Sequence, residues 1–392
     1  MRIAFDAKRA FNNGTGLGNY ARLLLNALMR DYTDNDYLLF TPKMKDEFFH
    51  QIQGDYELVL PESRKLQAKM DMRWTSFLFG KVPVILPANK AVWRSWGLTH
   101  ELELGKVDIY HGLSNELPFN IHNTGIKTVV TIHDVIFRKH IEQYPWIDRQ
   151  FYHAKTKYAV KHADKVIAVS EETKRDLIEL YAVPENKIAV VYQSVNPIFY
   201  DSTLRNTSID IHTKYNLPKK YVLNVGSFYP RKNQAALIEA FDAIKHEVEE
   251  DLVLVGSTGN VKAIQALIAD KKLEQRVHIL GNVTNEDMPA LYQQASVFVF
   301  PSLHEGFGVP VLEALFSRTP VVATKGGAIE EAAGKNSLLI NPTSIDEMAD
   351  SMVQVLKNDA LRQEMITAGY AHAMTMTDTA FAANTMKVYE DL

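Results

Sequence analysis

The sequence of 392 residues contains no cysteine. This absence excludes disulfides, thiolate nucleophiles and cysteine-bound zinc or iron–sulfur clusters. The formal net charge is −4, so the whole chain carries no excess of basic residues. General binding to nucleic acid depends on such an excess, and we therefore expect no nucleic-acid partner.

Long hydrophobic runs are also missing. No segment approaches the roughly 18 consecutive apolar residues of a membrane-spanning helix. The first residues lack the basic-then-apolar order of a signal peptide. We therefore expect a cytoplasmic protein that begins directly with folded structure. This expectation is compatible with peripheral contact on the inner face of the membrane.

What the chain does contain is an alternation of short apolar runs with helical patterns. The apolar runs predict strands at residues 3–5, 37–40, 109–111, 128–133, 165–169, 221–225, 252–255, 277–280, 297–300 and 321–323. Helical periodicity lies between several of them, at residues 19–29, 171–180 and 233–244. Strands that alternate with helices form parallel sheets covered by helices, so the sequence predicts an α/β fold.

The chain divides into two halves that begin alike, each with a strand, a glycine-containing turn and a helix. We predict an N-terminal Rossmann-like domain at residues 1–200, a linker at 201–215 and a second Rossmann-like domain at 216–375. A last helix, at residues 376–392, is predicted to return toward the N-terminal domain. Doubly wound domains bind ligands at the carboxyl ends of their strands, so two such edges placed face to face make a deep cleft.

The most specific signal is the segment 305–313, which follows the predicted strand 297–300. Pro310 suits the first turn of a helix, because its missing N–H would be unpaired there anyway. Glu305 then lies on a loop and Glu313 in the helix, where each carboxylate can accept hydrogen bonds from sugar hydroxyls. The alternative is that Glu305 is a surface charge and Glu313 only favours the helix dipole.

Two cations, Arg231 and Lys232, follow a predicted strand and the turn of Gly226 and Ser227. They precede a helix for which Asn233 is the predicted N-cap. Fixed cations beside free helix N–H groups can bind a diphosphate and stabilise the charge of a departing nucleoside diphosphate. The alternative is a solvated basic turn.

A glycine loop begins the N-terminal half, where Gly16 and Gly18 can bring backbone N–H groups to a phosphate. No third glycine follows in the register of a dinucleotide fingerprint. No acidic residue ends the next predicted strand, 37–40, to hold an adenosine ribose. Both absences count against a dehydrogenase.

His133 ends the predicted strand 128–133, where it can bond a sugar hydroxyl or an acceptor. The alternative is a structural histidine, and His111 is a weaker candidate of the same kind. His133 and Asp134 are neighbours in an extended chain, so their side chains point in different directions. No HExxH motif is present. We expect neither a metal site nor a cofactor.

Taken together, these residues resemble the family 4 glycosyltransferases, which have the GT-B fold of two Rossmann-like domains facing across a cleft. The resemblance covers nearly the whole chain and is strongest at residues 224–234, 277–283 and 296–313. It implies a retaining hexosyltransferase that needs no divalent metal. The nearest subgroup is similar to bacterial mannosyltransferases of surface-polysaccharide synthesis. It implies GDP-mannose as the first donor, a UDP-sugar as the second, and a glycan or lipid-linked acceptor.

The resemblance also implies the site residues. The implied catalytic residues are His133, Arg231, Lys232 and Glu305. The implied donor-binding residues are Gly16, Gly18, Gly226, Ser227, Asn282, Val283, Phe307, Gly308, Val309 and Glu313. By the same resemblance, Glu313 holds the donor ribose, Glu305 contacts hydroxyls of the transferred sugar and His133 bonds its 6-hydroxyl. Asn282 and Val283 lie near the nucleotide base.

The mechanism implied by the family is a front-face displacement, in which the leaving phosphate oxygen takes the proton of the acceptor. The sequence fits this account because no third carboxylate stands out as a covalent nucleophile. Asp134 is the nearest candidate and ranks lower.

Residues 64–100 form a basic, aromatic segment with seven lysines and arginines against one aspartate. Its interleaved aromatic residues are Trp74, Phe77, Phe79, Trp93 and Trp96. Such a segment can lie on an anionic bilayer or line a lipid-linked acceptor site, and we predict peripheral membrane contact through it. The alternative is a helical excursion whose aromatic side chains complete the N-terminal core.

Two other functional classes stay open. Another GT-B enzyme, an epimerase or a phosphorylase, needs an acid–base pair beside the donor sugar or a cofactor lysine, and the sequence makes no case for either. A non-catalytic nucleotide-sugar binder keeps the cleft and loses turnover. The intact cation pair and glutamate pair argue against that class.

Overall fold

The protein folds into two parallel β-sheets flanked by helices, as seen in a computed structural model that describes residues 1–61, 92–141, 144–204 and 210–392. The first sheet has seven strands in the order β3-β2-β1-β4-β5-β6-β7, and the second has six in the order β10-β9-β8-β11-β12-β13. Every strand pair in both sheets is parallel. The predicted fold of two Rossmann-like units is therefore confirmed.

The strands of the first sheet are β1 Arg2–Asp6, β2 Asp36–Phe40, β3 Glu57–Val59, β4 Ile109–Gly112, β5 Lys127–Ile132, β6 Lys165–Ala168 and β7 Ile188–Val190. Those of the second sheet are β8 Tyr221–Val225, β9 Asp251–Val255, β10 Val277–Leu280, β11 Val297–Phe300, β12 Val321–Thr324 and β13 Leu338–Ile340. The inner strands are mostly apolar because helices cover both faces of each sheet.

The α-helices of the described residues are numbered here in chain order. Those before the second sheet are α1 Lys8–Asn12, α2 Gly16–Asp31, α3 Asp46–Phe49, α4 Leu98–Leu104, α5 Ile136–Lys139, α6 Trp146–His162, α7 Glu171–Tyr181 and α8 Ile211–Tyr215. The others are α9 Gln234–Ile244, α10 Val261–Asp270, α11 Met288–Gln293, α12 Val309–Phe316, α13 Gly327–Ala333, α14 Ile345–Lys357, α15 Asp359–Ala373 and α16 Asp378–Glu390. Over the described residues, no helix combines the length and apolar character needed to cross a bilayer.

Each strand predicted from the apolar runs is present, with ends that differ by one residue at most. Three further strands, β3, β7 and β13, were not predicted. Each has only three residues and lies at an edge of its sheet. An edge strand is covered on fewer sides, so a short one carries little hydrophobic signal.

Two helix starts differ from the predictions. Helix α2 begins at Gly16, three residues earlier than predicted, so the glycine loop is the first turn of the helix. Asn233 occupies the N-cap position of α9 as predicted, but its side chain makes no capping hydrogen bond. Asn233 has a left-handed backbone with φ of 59°, and its side-chain amide donates instead to the carbonyl of Pro342 at 2.7 Å.

The last helix, α16, crosses back to the N-terminal domain as predicted. At its start, Asp378 accepts a hydrogen bond from Arg30 of α2 at 2.5 Å and another from the hydroxyl of Tyr200 at 2.7 Å. Near its end, the hydroxyl of Tyr389 lies 2.6 Å from Nδ1 of His111. These contacts tie the two ends of the chain together on one side of the cleft.

The described part of the basic, aromatic segment packs inside the domain. Trp93 is 2% exposed and donates through Nε1 to Glu101 at 2.7 Å. Arg94 pairs with Asp6 at 2.5 Å and with Glu116 at 2.6 Å. The expectation that Trp93 and Arg94 face a membrane is therefore wrong, because both complete the interior of the domain. Trp96 is exposed on one side, and residues 62–91 lie outside the described residues.

Candidate active site

The carboxyl ends of strands β8 and β11 bring together the cations and the first glutamate of the sequence motifs. A 3₁₀ turn, Pro230–Lys232, follows β8, and its Arg231 carbonyl accepts the backbone N–H of Leu303 at 2.7 Å. The hydroxyl oxygen of Ser302, whose proton points to Glu305, lies 3.1 Å from the same carbonyl. These contacts fasten the turn to the loop that carries Glu305.

One oxygen of Glu305, Oε1, accepts from three side chains. Arg231 Nη1 lies at 2.8 Å, Ser302 Oγ at 2.6 Å, and Lys232 Nζ also donates to it. The side chains of Lys232 and Glu305 are only 11% and 13% exposed. Burial opposes the ionisation of Glu305, but the adjacent Lys232 and Arg231 outweigh it and hold its pKa below the usual value.

Lys232 is buried in the same cluster. Loss of hydration lowers the pKa of its ammonium group, while the attraction of Glu305 acts in the opposite direction. The ammonium also lies 5.2 Å from the centre of the Phe300 ring. The result is a partly dehydrated cation with a strong electrostatic preference for an anion.

The N-terminal domain meets this cluster at the end of β5. A Cβ placed on Gly306 would lie 2.2 Å from the carbonyl oxygen of His133 and 3.3 Å from Cβ of Asp134. Only glycine permits so close an approach of the two backbones. His133 and Asp134 therefore lie directly across the cleft from the loop that carries Glu305.

His133 is buried, with its ring fixed by two contacts. Nε2 lies 2.9 Å from the carbonyl of Leu113, which can only accept, so Nε2 carries the proton and Nδ1 does not. The ring meets Tyr20 edge to face at 4.5 Å. Burial lowers the pKa of His133 to about 4, so the imidazole is neutral at pH 7. A neutral ring with a free lone pair on Nδ1 can accept a hydrogen bond from a hydroxyl.

His111 is a structural residue. It is completely buried, between Tyr389 and the hydroxyl of Thr131 at 2.9 Å, and burial lowers its pKa to about 3. Asp134 accepts the backbone N–H of Ile136 at 3.1 Å. Burial raises the pKa of Asp134 above the usual value of a carboxyl group, while the Ile136 hydrogen bond and the nearby Arg231 act in the opposite direction.

Glu313 lies in α12, whose first turn contains Pro310 as predicted. Its carboxylate accepts the hydroxyl of Tyr292 at 2.8 Å. Burial raises the pKa of Glu313 to about 7, while the Tyr292 hydrogen bond acts in the opposite direction. Its pKa is thus close to neutrality, unlike that of Glu305.

The other predicted donor-binding residues also lie at strand ends. Gly226 and Ser227 follow β8, and the Ser227 carbonyl accepts from Gln234 at 3.0 Å. Asn282 is exposed and Val283 half-buried in the loop after β10. The segment just before and within the first turn of α12 contains Phe307, Gly308 and Val309.

The glycine turn lies near the same cleft. A Cβ on Gly18 would lie 1.8 Å from the carbonyl oxygen of Asn13, so the tight entry into α2 requires glycine there. Gly16 is exposed at the helix start. Leu17, between them, lines a cavity of about 210 Å³. The remaining lining residues are Arg9, Ser114, Asn115, Glu116, His133, Asp134, Phe137, Tyr144, Tyr152, Lys155 and Thr156.

Two glutamates that sequence reasoning missed join the domains beside the site. Glu331 of α13 accepts the backbone N–H groups of Glu171 and Glu172, at 2.7 and 2.9 Å, at the start of α7. In return, Glu172 accepts the N–H of Ala328 at 2.8 Å. We call this exchange the carboxylate latch. No sequence motif links these residues, since Glu172 and Glu331 lie 159 positions apart in the chain.

Metal ligation needs several histidine or acidic side chains close together, and this requirement can be compared with the part of the chain that the structure describes. It contains no group of three or more histidine or acidic side chains placed to hold a metal ion. The sequence has one Asp-x-Asp pair, Asp34 and Asp36. It lies at the amino end of β2, whereas the site lies at the carboxyl ends of the strands.

Comparisons with known proteins agree with this geometry. A family model described as Glycosyltransferase Family 4 matches residues 14–198, and one described as Glycosyl transferases group 1 matches residues 207–372. The chain is 28% identical to O-antigen chain mannosyltransferase B of Escherichia coli over 395 residues, covering 100% of both chains. It is 25% identical to O-antigen chain mannosyltransferase RfbU of Salmonella typhimurium, covering 86% of each. A solved glycosyltransferase from Rickettsia africae has a TM-score of 0.75 at 18% identity, over 100% of this chain and 98% of that one.

Proposed function

This chain belongs to family 4 of the glycosyltransferases, and on that premise we propose that it transfers a hexose from a nucleoside diphosphate sugar to a glycan or lipid-linked acceptor. Mannose from GDP-mannose is the first donor, because two relatives that span most or all of the chain are O-antigen mannosyltransferases. A UDP-sugar is the second. The proposal extends to retention of the anomeric configuration.

The observation that supports the proposal most is the cation cluster at the carboxyl ends of β8 and β11. Arg231 and Lys232 lie side by side, largely buried, at an edge where doubly wound sheets bind nucleotides. When the glycosidic bond to the diphosphate breaks, negative charge develops on the departing oxygen. Two fixed cations stabilise that charge without reorganisation, which is the work a divalent metal does elsewhere. We propose that this transferase needs no metal.

Donor binding would redistribute the bonds of the cluster. In the protein alone, Glu305 supplies the counter-charge for both cations. A diphosphate would take over that role, and the glutamate would then accept hydroxyls of the transferred sugar. The unprotonated Nδ1 of His133 would accept a further hydroxyl from the opposite side of the cleft.

Retention is proposed to follow a front-face displacement. The acceptor oxygen forms its bond to the anomeric carbon on the face from which the phosphate departs. The carbon–phosphate-oxygen bond breaks, and the acceptor proton passes to the leaving phosphate oxygen. The competing double displacement would need a carboxylate nucleophile beside the anomeric carbon, and Asp134, whose carboxylate already accepts the backbone N–H of Ile136, is the nearest candidate.

A thermal-shift screen against UDP, GDP, ADP and their sugar conjugates tests the donor first. A nucleotide that binds the folded state raises the unfolding midpoint, and GDP with GDP-mannose should give the largest rise. Incubation with the best donor and an acceptor, followed by NMR of the anomeric proton, then tests transfer and retention. An inverted product would refute the front-face account.

Two outcomes separate the remaining classes of function. Conversion of the donor sugar into its epimer without an acceptor would identify an epimerase. Strong stabilisation by a donor with neither transfer nor hydrolysis would identify a non-catalytic binder, and the proposed function would then be wrong.

A further inference from the structure

The outward face of α6 carries large apolar side chains in water. Trp146, Ile147 and Phe151 are 65%, 61% and 63% exposed. Exposed apolar residues scattered singly are ordinary, but these lie within six positions on the first turns of one helix. Ile147 and Phe151 are spaced i and i+4, so they lie one above the other. The cluster forms a contiguous apolar tip.

The rest of that face is basic. Lys157 and Lys161 are exposed, and helical spacing places them on the same side as Trp146 and Phe151, toward the carboxyl end of the helix. The opposite side of α6 is already used, because Thr156, Ala159 and Val160 are buried against the domain. The outward face is therefore an apolar tip continued by two lysines.

This face adjoins a cavity of the N-terminal domain whose wall includes His133. Tyr152, the neighbour of Phe151, lines that cavity together with Lys155. His133 and Asp134 lie on the wall of the same cavity. The apolar tip is therefore continuous in the chain with the wall of the cavity that contains His133.

We propose that the face formed by Trp146, Ile147, Phe151, Lys157 and Lys161 lies on an anionic lipid bilayer. Tryptophan, isoleucine and phenylalanine enter the boundary between headgroups and acyl chains, and the lysines pair with lipid phosphates. The proposal rests on the proposed function, since it explains how a lipid-linked acceptor presents its sugar to His133 while its lipid stays in the bilayer.

Vesicle flotation tests the surface directly. The full chain is mixed with vesicles of phosphatidylcholine, with and without phosphatidylglycerol. We expect flotation with the anionic vesicles and much less with the neutral ones. The double variant Ile147→Ser/Phe151→Ser should reduce the fraction bound at least about tenfold, because two large apolar side chains no longer leave water. Lys157→Gln/Lys161→Gln should remove the preference for the anionic vesicles.

The matched control is Leu104→Ser, which removes an apolar side chain that is 70% exposed at the end of α4. It should float like the wild-type chain. All variants should keep the wild-type unfolding midpoint and the wild-type response to the donor nucleotide. Those two measurements separate a failure of the surface from a failure of the proposed function.

Two results would overturn the proposal. One is a wild-type chain that stays in the soluble fraction with anionic vesicles, which would leave a protein as the partner of this face. The other is an Ile147→Ser/Phe151→Ser variant that floats as well as the wild-type chain. Transfer to a water-soluble acceptor by a chain that does not float would leave the glycosyltransferase assignment intact.

Discussion

At the scale of single residues, Lys232 is the side chain whose charge the proposed reaction uses most directly. Lys232→Ala removes a buried cation from the cluster and leaves Arg231 alone to stabilise the departing diphosphate. We expect turnover to fall by about 10²-fold or more, as for other electrostatic stabilisers. Steady-state kinetics with the donor identified by thermal shift measure the loss.

Lys262→Ala is the control for Lys232→Ala, because Lys262 is an exposed lysine of α10 in the same domain. Its turnover should equal that of the wild-type chain. Wild-type turnover in Lys232→Ala as well would remove the cluster from the mechanism.

Glu313 predicts a pH dependence of stability. Its pKa in the folded protein is raised from 4.5 to about 7, mainly by burial. The folded state therefore holds a proton that the unfolded chain releases between those values. The stabilisation is fully present below pH 4.5 and is lost as the pH rises through about 7. Relative to wild type, Glu313→Gln should gain stability over this window, up to about 3 kcal/mol, in denaturant unfolding at several pH values.

If Glu313 contacts the donor ribose, nucleotide affinity should depend on pH in the direction opposite to stability. Hydroxyls donate to the ionised carboxylate, so nucleoside diphosphate affinity should rise as the pH increases through about 7. Titration calorimetry of the wild-type chain and Glu313→Gln measures this. Equal affinities at pH 8 would count against the ribose contact.

At the scale of elements, the close approach of two loops aligns the halves of the site. Gly306→Ala would place a Cβ 2.2 Å from the His133 carbonyl and force the loops apart. A displacement of about 1 Å at reacting groups can cost on the order of 10²-fold in rate. We expect a loss of that size in turnover, with little change in nucleotide affinity.

Gly125→Ala is the matched control for Gly306→Ala, since a Cβ there has nothing within 4 Å. It should behave as wild type. If Gly306→Ala keeps full turnover, the approach of the two loops is not needed for transfer.

The position of an element in its sheet explains which strands the apolar pattern predicted and which it did not. Strand β8 was predicted with both ends correct, because it lies inside its sheet and all of its residues except Asn224 are apolar. The edge strands β3, β7 and β13 have three residues each and gave too little periodicity. At Asn233 the N-cap position was predicted correctly but the missing capping bond was not, because asparagine favours N-caps and also tolerates the left-handed backbone found here.

At the scale of the whole molecule, the carboxylate latch joins α7 of the N-terminal domain to α13 of the C-terminal domain, and we expect it to favour the closed form of the cleft. Glu331→Gln removes the charge from two hydrogen bonds between α13 and α7. Bonds to charged groups contribute roughly 1.5–3 kcal/mol each, so the closed form should lose stability relative to an open one. We expect a larger radius of gyration in small-angle scattering and a donor KM about tenfold higher, with kcat less affected.

Glu179→Gln is the control for the latch, because Glu179 is an exposed carboxylate of α7. It should leave both the scattering and the kinetics unchanged. A Glu331→Gln variant with wild-type scattering and donor KM would show that the latch does not govern closure.

The sequence by itself determined the two parallel sheets, the C-terminal helix and the short list of side chains at strand ends. These follow from local periodicity and from residue types that have one common chemical use. Tertiary structure alone decided that Lys232 pairs with Glu305, 73 positions away, and that Trp93 and Arg94 lie inside the domain. It also decided the latch between Glu172 and Glu331. Such contacts depend on which distant segments meet, and burial in the folded chain then sets the pKa of each group.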